Sequence, residues 1–170
     1  LKGHEGRVSS VAFSPLLEDE NGNKHLRIVS SSEDSTINIW DASDLSGDVT
    51  LVQTIKEHSD FVEHVVFSAN PDRRLLLASC SADGSIHLYD GLSGERTALL
   101  AGHERQVTSA TFALKDNVLI TGSKDNTVRL WDTEGETEGT IIGKHDDWVR
   151  DVTTNPTGTM VASASKDTTI

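Results

Sequence analysis

The stretch "GSKDNTVRLWD", Gly122 to Asp132, joins a hydroxyl-rich strand, a charged turn and a Trp-Asp pair within eleven residues. The chain writes nearly the same thing elsewhere. "SSSEDSTINIWD" runs from Ser30 to Asp41, "SCSADGSIHLYD" from Ser79 to Asp90, and "SASKDTTI" from Ser163 to Ile170. Aligned on the turn aspartates Asp34, Asp83, Asp125 and Asp167, the copies are 49, 42 and 42 residues apart. Each is preceded by a histidine: His4, His58, His103 and His145. A hydroxyl stands four residues before each aspartate, at Ser30, Ser79, Thr121 and Ser163, and a ring stands six after it, at Trp40, Tyr89 and Trp131. The fourth ring would fall at position 173, beyond the last residue. Self-similarity at a fixed period decides the architecture before any local reading does.

Between these marks lie short runs rich in β-branched and aromatic residues and bounded by Gly, Asn, Asp and Pro, such as "RVSSVAF", "LRIVSS" and "STINIW" in the first unit. Such runs read as strands. A weaker strand follows each ring, at "VTLVQTI" (Val49 to Ile55), "ERTALL" (Glu95 to Leu100) and "TEGTII" (Thr137 to Ile142), so four strands fit each period. No segment carries a helical period or helix caps, and the expected class is all-β. The units fall at about 1–48, 49–94, 95–136 and 137–170, the last one truncated.

Composition bounds the function. A chain of 170 residues is long enough for one sizeable core, since a domain near 150 residues buries roughly 70% of its unfolded surface. No apolar run is long enough to cross a bilayer and no leader is recognisable, so a soluble segment without membrane insertion is expected. The chain starts at Leu1 and has its one Met at 160, as a piece of a longer protein would. Fifteen basic residues against 27 acidic ones give a net charge of −12. That charge repels a phosphate backbone, and direct nucleic-acid binding is not expected. The one cysteine, Cys80, lies in the apolar run "LLLASC" and reads as a buried, inert thiol. The lack of a disulfide framework favours the cytoplasm or nucleus. His25, His64 and His87 share no metal-ligand spacing, and no GxxxxGK[ST] or GxGxxG is present, so neither a metal nor a cofactor is expected. Two acidic clusters, "EDENGNK" (Glu18 to Lys24) and "DTEGETE" (Asp132 to Glu138), read as solvated turns or, alternatively, as a partner-specific loop on the face opposite the His-bearing loops; the first lengthens the loop between the first two strands of unit one.

The period in the low forties, with Gly3-His4, Gly102-His103, Trp40-Asp41 and Trp131-Asp132 in register, resembles the WD-repeat β-propeller family over essentially the whole chain. Glu57-His58, Lys144-His145 and Tyr89-Asp90 depart from its pattern. The resemblance implies four-stranded antiparallel blades forming part of a ring that in the family usually has about seven. It also implies a structural hydrogen-bonded tetrad in each blade, built from the histidine, the second-strand hydroxyl, the turn Asp and the third-strand ring. With Tyr89 in place of the indole, the second tetrad is expected to be distorted or incomplete. A Ser/His/Asp set invites a hydrolase reading, but a set that recurs four times suits a task common to all blades, and no enzyme is expected.

The family tendency further implies that partners dock on the face bearing the His loops, at positions beside the first Val of each unit and just before the turn Asp. Those positions are Arg7, Ser9 and Glu33; Phe61, Glu63 and Ala82; Gln106, Thr108 and Lys124; and Trp148, Arg150 and Lys166. Strand alternation points Val62 and Val149 inward and leaves Phe61 and Trp148 on the loop side as recognition anchors. The function expected is a non-catalytic scaffold presenting loops to other proteins or peptides within a larger complex. Two alternatives remain open. One is a sensory or autoinhibitory propeller of a signalling nucleotidase of the apoptotic protease-activating-factor type, and the other is a ribosome- or RNA-associated propeller of the receptor-for-activated-C-kinase type.

Overall fold

A computed structural model describes residues 1–18, 21, 24–44, 47–70, 74–134 and 138–170. The first unit contributes β1 (Val8–Phe13), β2 (Leu17–Glu18), β3 (Lys24–His25), β4 (Arg27–Ser32) and β5 (Ile37–Asp41). Next come β6 (Thr50–Ile55), β7 (Val62–Phe67), β8 (Leu76–Ser81) and β9 (Ser85–Asp90). They are followed by β10 (Arg96–Ala101), β11 (Val107–Ala113), β12 (Val118–Ser123) and β13 (Thr127–Asp132). β14 (Thr140–Lys144), β15 (Val149–Thr154) and β16 (Val161–Ser165) complete the order. No helix occurs among the described residues, so none is long and apolar enough to cross a membrane.

Three antiparallel sheets of four strands follow one another, β1-β4-β5-β6, β7-β8-β9-β10 and β11-β12-β13-β14, and the pair β15-β16 begins a fourth. The arrangement is an open arc of propeller blades. Sheets and sequence units are offset, because the outer strand of each sheet (β6, β10, β14) comes from the residues that open the next unit. That strand leads directly into the next His-bearing loop, so each unit is tied to two blades. The lengthened loop of unit one carries a two-residue ladder, Leu17↔His25 and Glu18↔Lys24, where only a turn was expected. The chain there is long enough to fold back and pair with itself. Half of the two acidic clusters, residues 19, 20, 22, 23 and 135–137, lies outside the described residues.

The apolar core lies between sheets. One cluster joins Val29, Ile37, Ile39 and Ile55 of the first sheet to Val62, Val65, Phe67, Leu77 and Tyr89 of the second. Another joins Cys80, Ile86, Leu88 and Leu100 to Val107, Phe112, Leu119 and Trp131 of the third. A smaller one joins Ile120 and Val128 to Val149 and Val152. Cys80 is fully buried, and burial pushes its thiol well above the usual range. The thiolate needed for reactivity is therefore absent at neutral pH.

Each inner strand has the same irregularity. The pairing slips between Val8 and Ser10, Val62 and His64, Val107 and Ser109, and Val149 and Asp151. The residue passed over is Ser9, Glu63, Thr108 or Arg150, and a bulge of this kind re-aims the extra side chain. Ser9 Oγ donates to the Val62 carbonyl and Thr108 Oγ1 to the Val149 carbonyl (2.9 Å), each reaching the next blade.

Candidate functional site

The loop face is built on four similar hydrogen-bonded supports. In the third blade His103 Nδ1 donates to Asp125 Oδ2 (2.7 Å), Thr121 Oγ1 lies 2.8 Å from His103 Nε2, and the Trp131 indole N–H donates to Thr121 Oγ1 (2.8 Å). The first blade repeats this with His4 Nδ1 to Asp34 (3.2 Å), His4 Nε2 to Ser30 (2.8 Å) and Trp40 Nε1 to Ser30 (3.0 Å). In the fourth, His145 reaches Asp167 (2.9 Å) and Ser163 (2.9 Å). The second blade differs. His58 still meets Asp83 (3.0 Å) and Ser79 (2.8 Å), but the Tyr89 hydroxyl goes to His87 Nδ1 (3.0 Å), and His87 stacks on His58 with centroids 4.0 Å apart.

A further member, absent from the sequence reading, stands two residues after each turn Asp. The hydroxyls of Thr36, Ser85, Thr127 and Thr169 donate to Oδ1 of Asp34, Asp83, Asp125 and Asp167 at 2.6–2.7 Å. The backbone N–H of the same four residues donates there too. The second carboxylate oxygen accepts the amide that follows the loop histidine, from Glu5, Ser59, Glu104 and Asp146. Each aspartate thus clamps the His loop to the turn. Burial works to raise the Asp125 carboxyl, but His103, Thr127 and the Thr127 amide outweigh it and hold it well below the usual carboxylate range. Asp34 and Asp83 are held low by the same balance. The residue after each Asp has positive φ: Ser35 (66°), Gly84 (84°), Asn126 (70°) and Thr168 (74°). Glycine adopts this without cost, whereas the others are held there by the clamp. The signal for the extra hydroxyl was in the sequence, as a Ser or Thr recurring at one offset in all four units.

Connected in the order Asp, His, Ser or Thr, these groups have the connectivity of a catalytic triad. Ser79 and Thr121 are fully buried, and the oxygens of Ser30 and Thr121 are engaged by an indole N–H as well as by the histidine. A nucleophile needs an exposed oxygen beside an oxyanion hole. No group of three or more His, Cys, Asp or Glu that could hold a metal occurs among the described residues.

The supports place the expected docking residues side by side. The amide before each turn Asp donates to the carbonyl just before the first Val: Glu33 to Arg7 (2.9 Å), Ala82 to Phe61 (2.8 Å), Lys124 to Gln106 (2.9 Å) and Lys166 to Trp148 (2.9 Å). Val62 and Val149 are fully buried next to them. The two halves of the face differ in charge. In blades one and two Arg7 Nε donates to Glu33 (2.8 Å), Glu63 is half-buried with its carboxyl raised by burial, and Phe61 is 44% exposed. In blades three and four the half-buried Trp148 ring is surrounded by cations, with Lys166 Nζ 4.4 Å, Lys124 Nζ 4.8 Å and Arg150 Cζ 5.4 Å from its centroid. Lys166 also pairs with Asp147 (3.2 Å).

Comparison with known proteins agrees with this geometry. The family described as "WD domain, G-beta repeat" matches four times, at residues 1–41, 49–90, 94–132 and 135–170. Among curated proteins the chain is 35% identical over 179 residues to a nuclear distribution protein PAC1 of Arthroderma otae, covering 99% of this chain and 36% of that protein. It is 37% identical over 177 residues to PAC1 of Coccidioides posadasii (98% and 35%). It is 32% identical over 171 residues to the nuclear distribution protein nudF of Aspergillus niger (98% and 35%). The chain spans about a third of the length of these relatives. Four family matches, three complete blades and the repeated supports together make this chain a member of the WD-repeat family.

Proposed function

We propose that this chain is part of a non-catalytic scaffold that docks a protein partner on its loop face, with Trp148 at the centre and an acidic segment of the partner as its complement. The observation that carries the proposal is the ring of Lys124, Arg150 and Lys166 around Trp148. These three are a fifth of the chain's 15 basic residues, gathered at one place in a molecule of net charge −12. A Trp ring that already carries cations has little left to offer a cationic ligand. A carboxylate, by contrast, meets three positive groups, while the half-exposed indole supplies the apolar area typical of an interface anchor. Phe61, Arg7, Glu33 and Glu63 extend the contact across blades one and two, where complementary charge would set orientation.

The four repeated supports give the His, Ser and Asp residues a shared structural role, which favours the scaffold over an enzyme. Relatives named nuclear distribution proteins lend support to a role in nuclear distribution within a larger intracellular assembly. A photo-crosslinking amino acid at position 148 of the full-length protein, compared with one at position 18 in the acidic loop, tests the reading. Crosslinks from 148 to one acidic segment of a partner are expected. Crosslinks from 18 alone, or from 148 to nucleic acid, contradict it.

A further inference from the structure

Blade two departs from the other three, and the departure has a chemical consequence. Around His58 and His87 every ring nitrogen has a partner, and with both rings neutral one network satisfies them, with Ser85 Oγ also 3.3 Å from His58 Nδ1. The Tyr89 hydroxyl donates to His87 Nδ1 (3.0 Å), and His87 Nε2 donates to Ser85 Oγ (3.3 Å). Ser85 Oγ donates to Asp83 Oδ1 (2.6 Å), while His58 Nδ1 donates to Asp83 Oδ2 (3.0 Å). Ser79 Oγ donates to His58 Nε2 (2.8 Å). This chain closes with both rings neutral, each using one N–H and one lone pair. A proton added to His87 Nδ1 faces the Tyr89 hydroxyl, and one added to His58 Nε2 faces the Ser79 hydroxyl, so each must turn its own hydroxyl away from its present bond. Either proton also puts a charge against a ring stacked 4.0 Å away in a site where His58 is 8% and His87 4% exposed.

The charged groups around the pair do not cancel this cost. Asp83 favours protonation of both rings and Glu57 favours that of His58, but burial outweighs them. Glu57 lies 3.8 Å from His87 Nδ1 but is held by Arg96 at 2.7 Å, and Arg96 opposes a proton on either ring. Burial, reinforced by His58 and Arg96, brings His87 down to about 4, and burial lowers His58 as well. The positions matching His87 in blades one and three hold Asn38 and Arg129, so those blades have no second imidazole to stack on the first.

His58 lies in the loop that leads to Phe61 and ties the start of that loop to Asp83 (3.0 Å) and Ser79 (2.8 Å), while Phe61 itself is held by bonds outside the imidazole pair. The Ser59 amide donates to Asp83 (3.0 Å), the Ala82 amide to the Phe61 carbonyl (2.8 Å), and Ser81 Oγ to the same carbonyl (2.9 Å). We propose that blade two is an acid-sensitive catch on the loop face: protonation of the His58–His87 pair loosens the loop of residues 57–61 where His58 ties it to Asp83 and Ser79, while the equivalent loop of blade three stays closed. The proposal concerns the loop itself and holds whichever partner uses the face. A histidine kept neutral in the fold stabilises it fully above the unfolded value near 6.5, and that stability is lost as pH falls from there toward the folded value.

Hydrogen exchange of the full-length protein between pH 7.5 and 4.5, corrected for the intrinsic pH dependence of exchange, tests the catch. Residues 57–63 should lose protection by about tenfold or more between pH 7 and 5, as linkage requires, while residues 102–108 hold theirs. The double variant His87→Asn, Tyr89→Trp, which installs the residues of blade one, should abolish the difference. If that variant does not fold, the titration of the His87 ring in the wild-type protein by NMR decides: a midpoint below pH 5 supports the catch, and an ordinary midpoint overturns it. Equal loss in both segments, no loss in 57–63, or an unchanged loss in the folded double variant would also overturn it.

Discussion

Blades one and two carry the same apolar strip on their inner strands but keep it in opposite states. Val62, Val65 and Phe67 of β7 are 0%, 2% and 7% exposed, whereas their counterparts Val8, Val11 and Phe13 of β1 are 52%, 63% and 64% exposed. The residue types are the same and both strands pair in the same register with the strand beside them. What differs is the neighbour. The β7 strip packs on Val29, Ile37, Ile39 and Ile55 of the preceding sheet, whereas among the described residues no sheet covers the Val8, Val11 and Phe13 face of β1, which meets β7 only by its other side. A blade therefore specifies its apolar face by its own sequence, but the burial of that face belongs to the pair of blades. This is the logic of a repeat array, in which stability is the sum of units and of the interfaces between them.

The sharpest way to break the comparison is to remove the same ring from both strips. Phe67→Ala should destabilise by about 3–5 kcal/mol, the usual result of truncating a buried Phe. In the 170-residue chain Phe13→Ala should cost less than about 1 kcal/mol by denaturant unfolding, because its ring is mostly in water already. Repeating Phe13→Ala in the full-length protein sharpens the point, since a cost rising toward that of Phe67→Ala would mean that another sheet covers β1 there.

Next in size is Asp125→Ala, which strips the clamp from a blade packed on both sides. It should cost about 1–3 kcal/mol, because buried donors lose their acceptor. The Asp125 carboxyl is held below its ordinary value, so its contribution is complete above about pH 4, the unfolded range, and is lost as pH falls below it. An acid melt should show this loss in the wild type and not in the variant. Tyr89→Phe should cost about 1 kcal/mol by leaving His87 Nδ1 without its donor. The smallest effect belongs to Ser9→Ala, which removes a hydroxyl that reaches from β1 to the Val62 carbonyl. About 0.5–1 kcal/mol is expected in chemical denaturation.

Much of this architecture was legible in the sequence because a repeat supplies its own alignment. The His, hydroxyl, Asp and ring positions recur in register, and three of the four strands per unit follow from β-branched runs between turn residues. The hydroxyl at Thr36, Ser85, Thr127 and Thr169 is equally regular, but a Ser or Thr beside a turn aspartate is common in any turn, and its bond to the carboxylate shows only in the fold. The bulges at Ser9, Glu63, Thr108 and Arg150 leave no local signature: those four residues share no side-chain property, and the extra residue is defined by pairing with another strand. The gathering of Lys124, Arg150 and Lys166 at one ring was likewise out of reach. These residues lie up to 42 positions apart in sequence and come together through the stacking of blades three and four. Tyr89 signalled an altered second support, and its direct partner proved to be His87, a residue for which the sequence offered no role.

The central claim is that the rigid stack of blades exists to hold a loop face whose Trp148 region does the binding. It is tested most directly by titrating the crosslinked partner against two variants of the full-length protein, Trp148→Ala and the triple change Glu18→Gln, Asp19→Asn, Glu20→Gln. An interface anchor is worth about 2 kcal/mol or more, so Trp148→Ala should weaken binding at least about tenfold. Its melting temperature should stay close to that of the wild type, and the triple variant should bind normally. Loss of the partner in the triple variant with Trp148→Ala unaffected would contradict the claim and move the interface to the inserted loop.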